Sequence, residues 1–198
     1  MTAIKFGTDG WRAIIAQEYT VDNVKRVAEG TGRWMLQRGM KQVAIGHDTR
    51  FAGQLFAETS ARVFGALGIK VKLARGFVST PMVSLATFKT GSDLGVVITA
   101  SHNPPSYNGF KLKSHLGGPL APAQITEVEN MIPEQCALAL PELDAMQAQG
   151  LLEYVDMETM YLDHVKAGFD LQTIYNAKIP MAFPALPWAW PTTATPTE

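Results

Sequence analysis

Between residues 21 and 98 short apolar runs alternate with single amphipathic helices, and that rhythm constrains the fold more than any other feature of the chain. Gln42-Val-Ala-Ile-Gly-His47 reads as a strand, 69–74 alternates apolar and basic residues as a strand does, and Leu94-Gly-Val-Val-Ile98 reads as a buried strand, too short and too apolar for a surface helix. Thr20 stands where an N-cap belongs. Val24, Val27, Ala28, Thr31 and Met35 then recur at three and four, and Gly39 ends the pattern, which predicts a helix over 21–38. Leu55, Phe56, Thr59, Val63, Phe64 and Leu67 share a second helical face closed by Gly68. Thr80-Pro81 pairs an N-cap with a proline at the first helical position and opens a helix through Lys89. Strands separated by single helices imply parallel pairing with right-handed crossovers. The expected class is therefore α/β, a helix-sheet-helix sandwich with a mainly parallel, mixed sheet, followed by an incomplete second domain.

Composition excludes several partner classes. With 46% hydrophobic and 18% charged residues in 198, a core can be buried, while a net charge of -1 gives no field for nucleic acid or an anionic membrane. The single cysteine, Cys136, rules out an internal disulfide and a Cys-only zinc site, and reads as a free thiol with no role. No apolar run reaches membrane-spanning length and Met1-Thr-Ala-Ile-Lys5 lacks a secretory pattern, so the chain is expected to be cytoplasmic.

The strand at 94–98 feeds Thr99-Ala-Ser-His-Asn-Pro-Pro105, which sets a hydroxyl, an imidazole and an amide on consecutive residues and stiffens the exit with two prolines. Ligands of open α/β sheets sit off the carboxyl ends of strands, where this loop falls. Asn108-Gly109 signals a turn, and Phe110-Lys-Leu-Lys113 alternates as a half-exposed strand should, which makes Lys111 and Lys113 a solvated face on periodicity alone. A Ser-His-Asp triad is a weak alternative, since neighbours on an extended segment point to opposite faces and set His102 away from Ser101. Near the N-terminus, Phe6-Gly-Thr-Asp-Gly-Trp-Arg12 suits a tight turn presenting Arg12, or a plain surface turn. Arg12, Lys111 and Lys113 suggest a phosphate as cargo. Asp48 and Arg50 read as a turn and domain-packing pair, and His47, His115 and His164 as structural or exposed.

Domain limits follow composition. Residues 1–140 form the first domain, with a surface helix over 121–134. Residues 141–183 read as a linker and the start of a second domain, including a helix from Met157 to Phe169 and a strand over 178–183. Residues 184–198 hold four prolines and one charge and read as an irregular tail, which suggests a truncation or frameshift near residue 183.

The motifs Phe6-Gly-Thr-Asp-Gly-Trp-Arg12, Gly46-His-Asp-Thr-Arg50, and Thr99-Ala-Ser-His-Asn-Pro104 followed by Tyr107-Asn-Gly-Phe-Lys111 resemble those of the α-D-phosphohexomutases, which include phosphoglucomutase and phosphomannomutase. The likeness covers residues 4–180. It implies an isomerase that moves a phosphoryl group between C1 and C6 of a hexose phosphate through a phosphoserine and a hexose bisphosphate. Residues 1–140 would be the phosphoserine domain, and Ser101 would carry the phosphoryl group, whose oxygens also ligate Mg2+. Arg12, His102 and Lys111 would contact phosphate or substrate, Lys111 serving in acid-base work, while Asn103 would support the loop. Glucose 1,6-bisphosphate would be the activator. The sequence contains no Asp-Gly-Asp-Gly-Asp run for the metal, no Gly-Glu-x-Ser-Gly-His sugar loop and no C-terminal phosphate loop. The chain alone is therefore expected not to turn over substrate, and a partner chain could supply the missing domains. The alternative is a non-catalytic phosphosugar-binding or phosphoacceptor module; a third reading is a degraded product with structure and no function.

Overall fold

The computed structural model describes residues 4–7 and 10–180. The elements follow in the order β1 (Trp11–Ile14), α1 (Val21–Gln37), β2 (Gln42–His47), α2 (Gly53–Ala66), β3 (Lys70–Phe77), α3 (Thr80–Lys89), β4 (Leu94–Ile98) and β5 (Tyr107–Ser114). After them come α4 (Pro122–Asn130), α5 (Leu143–Ala148), β6 (Leu152–Val155), α6 (Met157–Gly168) and α7 (Leu171–Asn176). The strands lie in the order β1-β5-β4-β2-β3-β6. Pairings β4-β2, β2-β3 and β3-β6 are parallel, while β5 runs antiparallel to both β1 and β4. The expected mainly parallel, mixed sheet between helical layers is what forms.

Alternation along the parallel strands assigns each side chain to a layer. Val43, Ile45, Val71, Leu73, Val96 and Ile98 pack into one core with Val24, Val27 and Met35 of α1 and Phe56, Val63 and Phe64 of α2. On the other face Ala44, Ala74 and Val97 meet Met82, Val83 and Ala86 of α3 and Met157 of α6. Small residues let α3 approach. A Cβ on Gly46 would stand 2.3 Å from Val78 Cγ2 and 2.6 Å from Val83 Cγ2.

The helix signals hold with small shifts. Thr20 Oγ1 accepts from the Asn23 amide at 3.2 Å, and the predicted apolar face of α1 is buried. At α3 the N-cap is Ser79, one residue earlier than the Thr80-Pro81 pattern implies, and its side chain makes no capping bond. Leu55 leaves the buried face of α2 and is 51% exposed.

The half-exposed strand expected at 110–113 is a correction. Strand β5 is internal, hydrogen-bonded on both edges, and α3 covers one face, so Lys111 and Lys113 are only 4% and 7% exposed. Both lie on the α3 side. A Cβ on Gly10 would stand 2.8 Å from Lys111 Cγ, and one on Gly95 would stand 3.1 Å from Lys113 Cβ. Two glycines thus make room for two lysine stems, which is how apolar stems accompany buried charged heads.

Within 141–183, β6 adds to the sheet beside β3 and α6 packs against α3. Most of the helix expected from Met157 is there. The strand expected over 178–183 does not form in its described half, since residues 178–180 are exposed and belong to no strand; 181–183 and the tail over 184–198 lie outside the described residues.

Beneath the carboxyl edge, Tyr19 is fully buried, stacked on Trp11 with centroids 4.6 Å apart and edge-on to Phe56. Its hydroxyl has no hydrogen-bond partner among the described residues. Burial first, and the nearby Asp48 carboxylate second, push its phenol well above the ordinary range. The folded state therefore favours the neutral phenol. Its contribution is present below the unfolded-state value of about 10 and is lost as pH rises beyond it. Tyr19→Phe removes an unpaired polar atom, so we expect stability at pH 7 to be equal or higher by up to ~1 kcal/mol. The variant should also resist alkaline unfolding better than the wild type, which thermal melts at pH 7 and above pH 10 would measure.

Candidate active site at the carboxyl edge of the sheet

The chain leaves β2 toward β3 on one side and returns in β4 on the other, so the loops after β2 and β4 meet at a switch point of the sheet. The loop after β4 is the serine loop. The Thr99 amide donates to Gly109 O at 3.0 Å, and the Asn103 amide closes a turn on Ala100 O at 3.0 Å. Tyr107 closes a second turn on Pro104 O at 3.0 Å. At the tip, Ser101 is exposed with φ 56°, a left-handed conformation costing a residue with a side chain about 1 to 2 kcal/mol.

That φ overturns one expectation. The segment is a turn at Ser101, not an extended strand, and it brings Ser101 Oγ to 3.4 Å from His102 Nδ1 instead of setting the two on opposite faces. At that length the contact is a weak hydrogen bond at best. The described residues therefore place serine and histidine side by side.

Arg12 reaches the loop from β1, where its Nη1 donates to Asn103 Oδ1 at 2.9 Å. Gly109 permits this crossing, because a Cβ there would stand 3.1 Å from Arg12 Cγ. Lys111 lies two residues beyond Gly109, buried in β5 with its stem over Gly10. Ser101, His102, Asn103 and Arg12 are thus brought into one cluster.

Asp48 and Arg50 form the expected turn pair, the Arg50 amide donating to Asp48 Oδ1 at 3.0 Å, but Arg50 also does what spacing did not reveal. Its partners are the carbonyls of the serine loop. Nη1 donates to Pro104 O at 2.9 Å and Tyr107 O at 3.0 Å, and Nη2 to Ser101 O at 2.8 Å and Asn103 O at 2.6 Å. The Nε faces Asp48 Oδ2 at 3.5 Å. Asp48 Oδ2 also accepts from Thr99 Oγ1 at 2.5 Å, and Thr99 Oγ1 in turn accepts from the Ser101 amide at 3.0 Å. The available signal was positional: Gly46-His-Asp-Thr-Arg50 ends the strand adjacent to β4. His47 itself is buried and structural, with Nδ1 3.0 Å from Asp48 O and its ring edge-on to Phe77, while His115 and His164 are exposed.

No group of three or more His, Cys, Asp or Glu side chains among the described residues is arranged to hold a metal ion. The carboxylate set that Mg2+ would require is not met by them. No helix among the described residues is long and apolar enough to cross a membrane. Cys136 is partly buried; burial first, then the Glu29 carboxylate, push its thiol up, away from nucleophilic reactivity.

Sheet order and serine loop together define an α/β domain that presents an exposed, strained serine among cationic side chains at a switch point. Residues 3–137 match the family model described as phosphoglucomutase/phosphomannomutase, alpha/beta/alpha domain I, and the chain belongs to that family, as its N-terminal domain. The phosphoglucosamine mutase of Staphylococcus aureus strain JH9 is 32% identical over 173 residues, covering 84% of this chain and 37% of that protein. A crystal structure assigned as a phosphomannomutase from Thermus thermophilus has a TM-score of 0.80 at 36% identity, over 87% of this chain and 38% of its own. A family protein from Burkholderia thailandensis has a TM-score of 0.65 at 25% identity over 80% of this chain and 34% of its own. The chain spans less than two fifths of the length of these relatives.

Proposed function

We propose that this chain is the phosphoserine-bearing domain of a hexose-phosphate mutase, with Ser101 as the residue that receives and returns the phosphoryl group. The observation that carries the reading is the strained, exposed Ser101 held at the tip of a loop anchored from β1, β2 and β5. Phosphoserine brings a charge of about -1.5 to -2 at neutral pH, and the Arg12 guanidinium on Asn103 stands one turn from it as a counter-charge. His102, whose ring nitrogen faces Ser101 Oγ, and Lys111 are the candidates for contacting phosphate or sugar hydroxyl and for moving a proton as the oxygen-phosphorus bond is exchanged.

The same reading predicts that the chain alone is a poor mutase. An enzyme lowers its barrier by at least about 8 kcal/mol, and positioning can provide roughly 7 to 11 of that. The motifs that would hold the sugar and its distal phosphate do not occur in this sequence. Uptake of a phosphoryl group on Ser101 without mutase turnover is therefore the behaviour expected of the chain alone. A coupled assay of glucose 1-phosphate to glucose 6-phosphate with the purified chain is expected to show no turnover above its Ser101→Ala variant. Turnover at an enzyme's rate would refute the claim of incompetence. Peptide mapping of the protein after incubation with glucose 1,6-bisphosphate should find phosphate on Ser101 and on no other residue of the loop.

A further inference from the structure

We infer that Arg50 is a positioning residue for Ser101, acting with Thr99 from a shared anchor on Asp48 to hold the serine in its left-handed conformation before any phosphate or other domain is engaged. The inference rests on the reading of Ser101 as phosphoacceptor. A non-glycine residue keeps a positive φ only where its surroundings over-determine it. Here both backbone groups of Ser101 are held by side chains. Its amide is taken by Thr99 Oγ1 and its carbonyl by Arg50 Nη2. Both of those side chains are tied to one oxygen, Asp48 Oδ2. Asp48 in turn stands fixed at the end of β2, where its amide donates to Ile98 O at 3.2 Å.

The donor count makes arginine specific. A guanidinium has five N–H groups in a planar fork; here the four terminal ones meet four different carbonyls, three in the loop and one at Tyr107 where β5 begins, and the fifth faces Asp48. A lysine has three donors on a single nitrogen and does not span Ser101, Asn103, Pro104 and Tyr107 together. The Arg50 side chain is 13% exposed, so its charge sits beneath the loop with little water to screen it. It therefore also adds positive potential under the Ser101 carbonyl.

The test uses the full 198-residue chain and four proteins: wild type, Arg50→Lys, Thr99→Val and Thr99→Ser. Backbone amide exchange is read at Ser101, Asn103 and Tyr107, with β2 and β4 as folding controls. We expect loss of loop protection in Arg50→Lys and Thr99→Val, retention in Thr99→Ser, and unchanged sheet protection throughout. Valine fills the space of threonine and serine does not, so a packing role would give the reverse order for the Thr99 pair. That pair also decides the matter should Arg50→Lys fail to fold. Phosphoryl uptake from glucose 1,6-bisphosphate, followed by intact mass, should lose about tenfold or more in maximal rate in Arg50→Lys and Thr99→Val. The half-saturating concentration should stay within about threefold, because both residues act through the loop backbone. Unchanged loop protection in both variants overturns the inference, and so does lost protection with an unchanged maximal rate. If the wild type takes up no phosphoryl group, the reading of Ser101 fails instead, and the amide data alone decide whether Arg50 and Thr99 hold the loop.

Discussion

Gly109→Ala is expected to unseat the serine loop, although it adds a single methyl group. The position pairs with Arg12 in the β1-β5 ladder, and the new Cβ would stand 2.6 Å from Thr99 O, 2.9 Å from Trp11 O and 3.1 Å from Arg12 Cγ. Two of these three obstacles are backbone oxygens of the sheet and of the loop's first residue. Neither can retreat by changing rotamer. Relief requires β1 to move away from β5 or the Thr99 end of the loop to lift, and either motion pulls Arg12 from Asn103. Overpacking of this kind costs about 1 to 3 kcal/mol, and the backbone character of the clash puts Gly109 at the upper end. The effect should appear as a lower Tm together with lost amide protection at Thr99, whose N–H bonds Gly109 O. An alanine variant with wild-type stability and loop protection would contradict this account of how β5 seats the loop.

The largest stability effect is expected from Phe64→Ala. Phe64 is fully buried on α2, and its ring lies close to Gly32 of α1, where a Cβ would stand 3.3 Å from Phe64 Cδ1. It is one of the groups that join α1 and α2 to the sheet. Truncating a buried phenylalanine costs about 3 to 5 kcal/mol, through lost transfer energy and the cavity left behind. Against a total stability of about 5 to 15 kcal/mol, that is a large fraction. At about 2 to 4 °C per kcal/mol for a chain of this size, Tm should fall by about 6 to 20 °C. Leu55→Ala on the same helix serves as control. Leu55 is 51% exposed, so its replacement should stay within about 0.5 kcal/mol.

Leu55 also marks what periodicity can and cannot convey. It lies at the same helical spacing as Thr59 and Val63, yet it is exposed while its neighbour Phe56 is buried. Strands β2 and β4 were legible because burial on both faces leaves continuous apolar runs, β3 because lysines alternate with apolar residues, and the helices between them because amphipathic helices repeat at 3.6. Strand β6, four residues with a glutamate in second place, carries too few residues for a pattern and is defined by pairing with β3.

The candidate site was legible as a loop but not as a geometry. Ser101, His102 and Asn103 are adjacent in sequence, and the preceding apolar run marks the loop as a strand end. Two further features required the fold. Lys111 and Lys113 alternate with apolar neighbours just as lysines on a half-exposed strand would, and only the sheet order shows β5 to be internal with glycines opposite the stems. Arg50 is 51 residues from Ser101 in sequence, and no local pattern tells a turn-forming arginine from one that spans a neighbouring loop. The adjacency of Ser101 and His102 misled in its own way, because side-chain alternation applies to extended backbone and Ser101 is left-handed.

The central claim is that Ser101 is a phosphoryl acceptor on this chain. Intact-mass and phosphopeptide measurement of the purified chain after incubation with glucose 1,6-bisphosphate, beside Ser101→Ala, tests it most directly. The account predicts one added phosphoryl group per chain, located on Ser101 and absent from the variant. An unmodified wild-type chain, or a phosphate that persists in Ser101→Ala, would contradict it.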